Sequence, residues 1–179
     1  PIRNRAGGED FIEVVFDNVL VPKDRVVGEP GKGWAQVTSE LAYERSGPER
    51  FLSAYRVFVE LIRICGDTPT SEQAAAIGRI ASHFMTLRRM SISVAGMLEQ
   101  GNDVVVEAAL VKELGNNFEK LLPEIARAVA PDLSLEDPDA QRLFRQTFEE
   151  TMLLSPSFTL RGGTREILRG VIARGLGLR

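Results

Sequence analysis

An all-α fold is predicted by this sequence: an up-and-down four-helix bundle with a further C-terminal helix, preceded by a short remnant of a β-domain. Three observations predict it. From Gly33 onward, apolar residues recur at alternating spacings of three and four, the period that keeps one stripe of a helix against a neighbour. Breaks at Asp67-Thr68-Pro69, Gly101, Pro131 to Pro138 and Ser155-Pro156 divide that signal into helices joined by short connections, which favour antiparallel packing. β-branched, partly alternating residues gather only near the start, in Phe11 to Pro22. With 179 residues, 44% of them hydrophobic, there is material for one sizeable core. The expected division is 1–30 as the end of a β-domain and a linker, and 31–179 as the helical bundle.

The elements follow in order. Phe11 to Pro22 reads as one or two short strands ending at the proline, and a lone strand pair cannot stand by itself. The expectation is therefore a sheet continued upstream of residue 1, in a longer protein, which also suits a chain opening on Pro1 instead of Met. Trp34, Val37, Leu41, Glu44, Pro48, Phe51, Tyr55, Phe58 and Ile62 form the stripe of the first helix, which Gly47-Pro48 should kink or interrupt. Thr70 and Gln73 form a capping box opening a second helix that runs to Gly101, with the seam Ile77, Ile80, Phe84, Leu87, Ser91, Val94 and Leu98. The third helix, about Val104 to Ala130, carries Val111, Leu114, Phe118, Leu121, Ile125 and Ala128, with Pro123 able to bend it. A fourth carries Leu143, Phe144, Thr147, Phe148, Thr151 and Met152 and is expected to stop at Ser155-Pro156. The fifth starts at Thr164, whose side chain is expected to cap it.

Composition excludes several classes of function. A net charge of −3, from 22 basic and 25 acidic residues, gives no electrostatic reason to expect nucleic acid or an anionic membrane surface as partner. The single cysteine, Cys65, rules out an intramolecular disulfide, and with one histidine, His83, no Cys/His metal site can be assembled. A reducing, cytoplasmic compartment fits. There is no apolar run of about 18 residues, and Pro1-Ile2-Arg3-Asn4-Arg5 has the character of neither a signal peptide nor an anchor.

Two features carry the chemistry. Glu44 occupies a stripe whose other members are apolar, aromatic or proline, so its carboxylate must be paired, must face a ligand cavity, or must bear a desolvation cost. A poised general base has that profile, and so does a structural glutamate bonded to Arg45 or to another helix. The second feature is Arg161-Gly162-Gly163-Thr164-Arg165-Glu166-Ile167-Leu168-Arg169, closed by Ile172-Ala173-Arg174-Gly175-Leu176-Gly177-Leu178-Arg179. Its glycines free the backbone to approach a ligand, and the helix behind them starts with N–H groups that attract negative charge. By contrast, Arg50, Arg56 and Arg63 are expected on a solvent face, His83 in the packing of its helix, and Cys65 as an inert packing residue. Arg88-Arg89 is a weak phosphate contact at best.

The tail resembles the C-terminal signature of acyl-CoA dehydrogenases, a Gly-Thr-x-Glu-Ile-x-Arg core ending in Ile-Ala and Leu-Gly-Leu-x-Arg. Two other segments agree with it. Phe16-Asp17-Asn18-Val19-Leu20-Val21-Pro22 with Gly28-Glu29-Pro30-Gly31-Lys32-Gly33-Trp34 is similar to that family's passage from its middle β-domain into its C-terminal helices, and Leu41 to Phe51 is similar to its first bundle helix. The resemblance implies an FAD enzyme of fatty acid metabolism, larger than this chain and oligomeric through the bundle. It would oxidise an acyl-CoA to the trans-2-enoyl-CoA and pass electrons to an electron-transfer flavoprotein. This stretch by itself, without the β-domain, is expected to retain no FAD and to be inactive.

Many members place the catalytic carboxylate immediately before the Gly-Thr of the tail. Gly162 stands there in this chain and cannot act as a base. Isovaleryl-type and some long-chain members instead carry a glutamate before an arginine on the first bundle helix, which Glu44-Arg45 matches. The resemblance then implies Glu44 as base, with Ala42, Tyr43 and Arg45 bordering the acyl-CoA. It places the Gly162 N–H toward the thioester carbonyl, Gly163 against the acyl thioester, and Thr164, Arg165 and Glu166 along the flavin. Two family segments are absent. Arg63-Ile64-Cys65-Gly66-Asp67-Thr68-Pro69 stands where Arg-x-x-Phe-Gly is usual, and Ala130-Pro131-Asp132-Leu133-Ser134-Leu135-Glu136 replaces Gln-x-x-Gly-Gly-x-Gly. Both fall on contacts to a neighbouring subunit's FAD, which leaves flavin stoichiometry open, and with it a second possibility: a non-catalytic helical subunit supporting a catalytic partner in a hetero-oligomer. Dehydrogenase and oxidase chemistry are not distinguished by these residues.

Overall fold

The structure, a computed structural model, describes residues 1–131 and 138–178, without the Ala42 side chain. Six α-helices follow one another among the described residues: α1 Gly33–Ser46, α2 Tyr55–Cys65, α3 Ser71–Glu99, α4 Val105–Val129, α5 Pro138–Phe158 and α6 Arg165–Gly175. The all-α bundle expected from the spacing is what forms. The first predicted helix is interrupted, not kinked. Gly47 takes an extended conformation (φ −67°, ψ 159°), as the residue before a proline prefers, and Pro48–Arg50 makes a short 3-10 turn before α2 begins. Thr70 and Gln73 form the reciprocal capping box at the start of α3, with distances of 3.2 and 2.9 Å. Gln73 also donates to the Val129 carbonyl at 3.1 Å, tying the start of α3 to the end of α4.

Three expectations about local structure are corrected. Among the described residues of Phe11 to Pro22 there is no strand; the segment's one pairing is an isolated antiparallel bridge between Phe11 and Ile2. Strand pairing needs a partner along its whole length, and here Phe16 and Leu20 stand 79% and 92% exposed. The fourth predicted helix, now α5, does not stop at Ser155-Pro156 but runs to the buried Phe158. Pro156 lacks the N–H that the Met152 carbonyl would accept, and the Ser155 hydroxyl donates to that carbonyl instead, at 3.2 Å. Finally, Thr164 sits at the N-cap position of α6 with extended dihedrals, but its side chain makes no cap bond.

Helix α4 is the centre of the bundle and packs against α1, α2, α3, α5 and α6. Its predicted seam is half right. Val111, Phe118 and Ile125 are buried with Ile80, Phe84, Leu87, Leu61 and Phe144 in the core, while Leu114, Leu121 and Ala128 are exposed. A helix with neighbours on several sides buries more than one stripe. The second buried face of α4 is Ala108, Lys112, Gly115, Asn116, Glu119, Leu122 and Ala126. The stripe of the first helix is also divided. Phe51 and Phe58 are in the core, whereas Trp34 and Val37 are exposed on α1 and Tyr55 and Ile62 are partly exposed on α2, because the break at Gly47 resets the helical phase.

Candidate active site

The polar face of α4 meets the end of α1, the Pro48–Arg50 turn and the connection between α5 and α6, and these four pieces build the site. Position by position, Glu44, Arg45 and Gly162 come together. Gly162 and Gly163 have φ of 66° and 105°, so the connection turns through a backbone conformation that side chains disfavour. A Cβ added to Gly162 would lie 2.5 Å from Oε1 and 3.1 Å from Cδ of Glu44. The carboxylate of α1 thus rests against bare backbone at the tail.

The Glu44 side chain is 40% exposed and its Oε1 accepts from Arg50 Nη2 at 2.6 Å. Arg50 also donates from Nε to the Glu44 carbonyl at 2.9 Å. Of the readings available to an in-stripe carboxylate, pairing is the one realised, with an arginine that was expected on the solvent face. Arg50 is instead buried, at 6% exposed. Among the described residues no hydrogen bond reaches Glu44 Oε2, so one oxygen is held and the other is open. Arg45 is buried as well and donates from Nε to the Gly162 carbonyl at 3.4 Å. Burial lowers its proton affinity, against the opposing pull of the Glu44 charge.

Below this pair lies a set of α4 side chains that the spacing did not reveal. Lys112 is fully buried and donates from Nζ to the Gly163 carbonyl at 2.5 Å. Its pKa is lowered to about 8, first by burial and then by the charges of Arg50 and Arg45, with Glu44 pulling the other way. Glu119, two turns along the same face, is fully buried too. Its carboxylate accepts from the Ser53 N–H at 2.7 Å and from Arg161 Nη2 at 2.8 Å, and Arg161 continues to the Ser53 hydroxyl at 2.9 Å. Burial nonetheless raises the Glu119 pKa above the usual carboxylate value. Between them Asn116 is buried, and neither of its amide atoms finds a partner among the described residues. Gly115 lets α4 approach the turn: a Cβ there would collide with the Arg50 carbonyl.

The remaining predicted residues lie at the margin. Tyr43 is 65% exposed on α1, and the expectation for the Ala42 side chain falls outside the described residues. Arg165 is engaged with Glu113 Oε1 at 3.2 Å, which Arg169 shares at 3.0 Å. Glu166 is exposed at the start of α6, and hydrogen bonds from its own backbone N–H and from the Thr164 hydroxyl hold its pKa below the usual carboxylate value. The acid therefore covers the first turn in place of the threonine. Of the core and helix-packing roles open to His83, it takes the second: exposed on α3, it stacks on Phe118 of α4 with ring centroids 4.8 Å apart. Cys65 is half-buried against the core and burial raises its pKa, as an inert packing residue requires. Of the two segments that depart from the family pattern, residues 132–137 lie outside the described residues. No helix among the described residues is long and apolar enough to cross a membrane.

With this geometry in hand, comparison with known proteins gives the class. The chain is 28% identical over 177 residues to acyl-CoA dehydrogenase FadE34 of Mycobacterium tuberculosis, a match covering 98% of this chain and 24% of that protein. It is 28% identical over 186 residues to acyl-CoA dehydrogenase IpdE1 of Mycolicibacterium smegmatis, covering 99% of this chain and 45% of that protein. A solved Mycobacterium smegmatis structure described as an acyl-CoA dehydrogenase superposes with a TM-score of 0.71 at 20% identity, over 89% of this chain and 43% of that one, and so agrees in fold. No family model matches. The chain is thus similar to acyl-CoA dehydrogenases over nearly its whole length, and it spans less than half the length of these relatives. The resemblance read from its three segments holds over nearly all of it.

Proposed function

We propose that residues 31–179 are the C-terminal helical domain of an FAD-dependent acyl-CoA dehydrogenase, with residues 1–30 ending its middle β-domain, and that Glu44 is the base that removes the α-proton of the acyl-CoA thioester. The observation that carries this reading is the seat of the Glu44 carboxylate against Gly162. The two positions at which relatives place their base are neighbours in space here, and only one of them bears a carboxylate.

The geometry suits the task. Arg50 fixes Oε1, so the carboxylate is oriented, and Oε2 is left to accept a proton. Charge then grows on the thioester oxygen, where the backbone N–H of Gly162 is the donor that the resemblance supplies. Arg45, through the Gly162 carbonyl on the other side of the same Cα, helps to hold the residue that presents it. The turn also leaves room for a ligand beside Gly163, where an added Cβ would meet no atom closer than 3.8 Å. Gly163 would lie against the acyl thioester, and Thr164, Arg165 and Glu166 would line the flavin; when bound, the flavin accepts the β-hydrogen as hydride. The product is the trans-2-enoyl-CoA, and the partners are an electron-transfer flavoprotein and further subunits packed through the bundle.

The test is an acyl-CoA panel with an artificial electron acceptor, run on the intact protein beside Glu44→Gln. Loss of about 100-fold or more in turnover at unchanged flavin content supports the base. Full activity in Glu44→Gln excludes it, and a wild type that carries no flavin and turns over nothing favours the supporting subunit.

A further inference from the structure

Lys112 is not called for by the proton transfer just described, yet it is fully buried directly beneath it. A lysine withdrawn from water is costly unless something holds its charge, and an apolar side chain of the same volume commonly serves stability as well or better. What holds this one is a backbone carbonyl at 2.5 Å, that of Gly163. That carbonyl belongs to the second of two successive glycines of positive φ, whose backbone has no side chain to restrict it. The other side-chain bond to these two carbonyls, from Arg45 to Gly162, is longer at 3.4 Å.

We propose that Lys112 is a positioning residue for this site: its buried ammonium holds the Gly163 carbonyl and so fixes the Gly162–Gly163 turn against the Glu44 carboxylate. The inference rests on the reading of Glu44 as base. Lys112 acts through the peptide, not on substrate, and anchors the tail from α4 as Arg45 does from α1. The charged groups facing it are Glu44 and Arg45 from α1, Arg50 from the turn and Arg161 from the α5–α6 connection. On its own helix Glu113 is occupied by Arg165 and Arg169 of α6, and Glu119 by Arg161. Three guanidiniums against one nearby carboxylate, added to burial, bring Lys112 to a pKa of about 8, so the anchor discharges within an ordinary assay range. The neutral amine is a weaker donor, and the turn loosens as it forms.

The first measurement needs no turnover. Gly163-Thr164 is the single Gly-Thr peptide of this chain, so ¹³C-carbonyl glycine with ¹⁵N-threonine labelling isolates the Gly163 carbonyl as one NMR signal. The expected result is a carbonyl shift that titrates with a midpoint near pH 8 in the wild type and is flat in Lys112→Met and in Lys112→Arg. A flat wild-type signal, or the same titration in Lys112→Met, overturns the proposal. The second measurement is kinetic, on the intact flavoprotein. Lys112→Met should lower kcat by about 100-fold, the scale of an ångström of misplacement, with KM within about twofold. Lys112→Arg should recover most of kcat and lose the alkaline fall near pH 8. A Lys112→Met protein with wild-type kcat and pH profile overturns the positioning role. If the wild type has no acyl-CoA activity while the carbonyl still titrates, the dehydrogenase reading fails and the anchor stands.

Discussion

Gly162 and Glu44, 118 positions apart in sequence, lie so close that a Cβ at Gly162 would stand 2.5 Å from Oε1, and no side chain fits there without moving the carboxylate. Two penalties meet at this position, the contact and a φ of 66°. Gly162→Ala should therefore cost at least about 1 kcal/mol from the left-handed backbone alone, and turnover should fall with it. Denaturant unfolding and the acyl-CoA assay check the two halves separately.

The Arg161 and Glu119 pair gives a second prediction. Glu119 is fully buried, so Arg161→Met leaves a carboxylate supported by the N–H and hydroxyl of Ser53 and the more distant charge of Arg50, with no ion pair. A loss of about 3–5 kcal/mol at neutral pH is expected, from breaking a buried pair on one side. The direction with pH follows from burial having raised the Glu119 pKa in the folded state. Between the ordinary carboxylate value and that raised one, the folded protein binds more protons than the unfolded, so this group's contribution falls as pH rises. The deficit of Arg161→Met should accordingly shrink on acidification, as unfolding curves at stepped pH will read.

Lys112 has the opposite sign. Its folded pKa of about 8 lies below the 10.5 of a free lysine, so between those values the unfolded chain holds more protons and stability gained from this group rises with pH. Below pH 8 the penalty of burying the ammonium is present in full. Comparing wild type with Lys112→Met by thermal unfolding should show the wild type gaining relative to the variant from pH 8 to 10.5 and not below.

A simpler case is Thr70. Its hydroxyl accepts from the Gln73 N–H at 3.2 Å in a complete capping box. Thr70→Ala should cost about 1 kcal/mol, measured by denaturant midpoint, with no effect on turnover.

The parts of this fold that obey one periodicity were legible from sequence. The seam of α3, with Ile80, Phe84, Leu87 and Val94 buried, was read correctly because α3 packs on one side and presents the other to solvent. Helix α4 was read by the same rule and its second face was missed. Nothing local to Lys112, Asn116 or Glu119 tells a buried charge from a solvated one; their burial comes from α1, α5 and α6 closing around them. Arg50 was misplaced for the same reason. The missed face had one available signal, Gly115, a glycine inside a helical pattern, which marks close approach of another backbone. Glu44 and the Gly162-Gly163 turn were legible because each breaks its local pattern, one as a charge in an apolar stripe, the other as paired glycines before a helix. That they would touch was not readable from either.

Gly115 carries a consequence for how this site can change. Its missing Cβ lets the Arg50 carbonyl lie on α4, and that contact sets how deep the Arg50 turn sits and so where its guanidinium meets Glu44. The aim of the carboxylate is therefore set in part by a spacing between backbones, behind the side chains that touch it. On the proposed reading of Glu44 as base, substitutions at the exposed Tyr43 would reshape the border of the acyl-CoA while the carboxylate keeps its seat, supported from behind by a residue with no side chain at all.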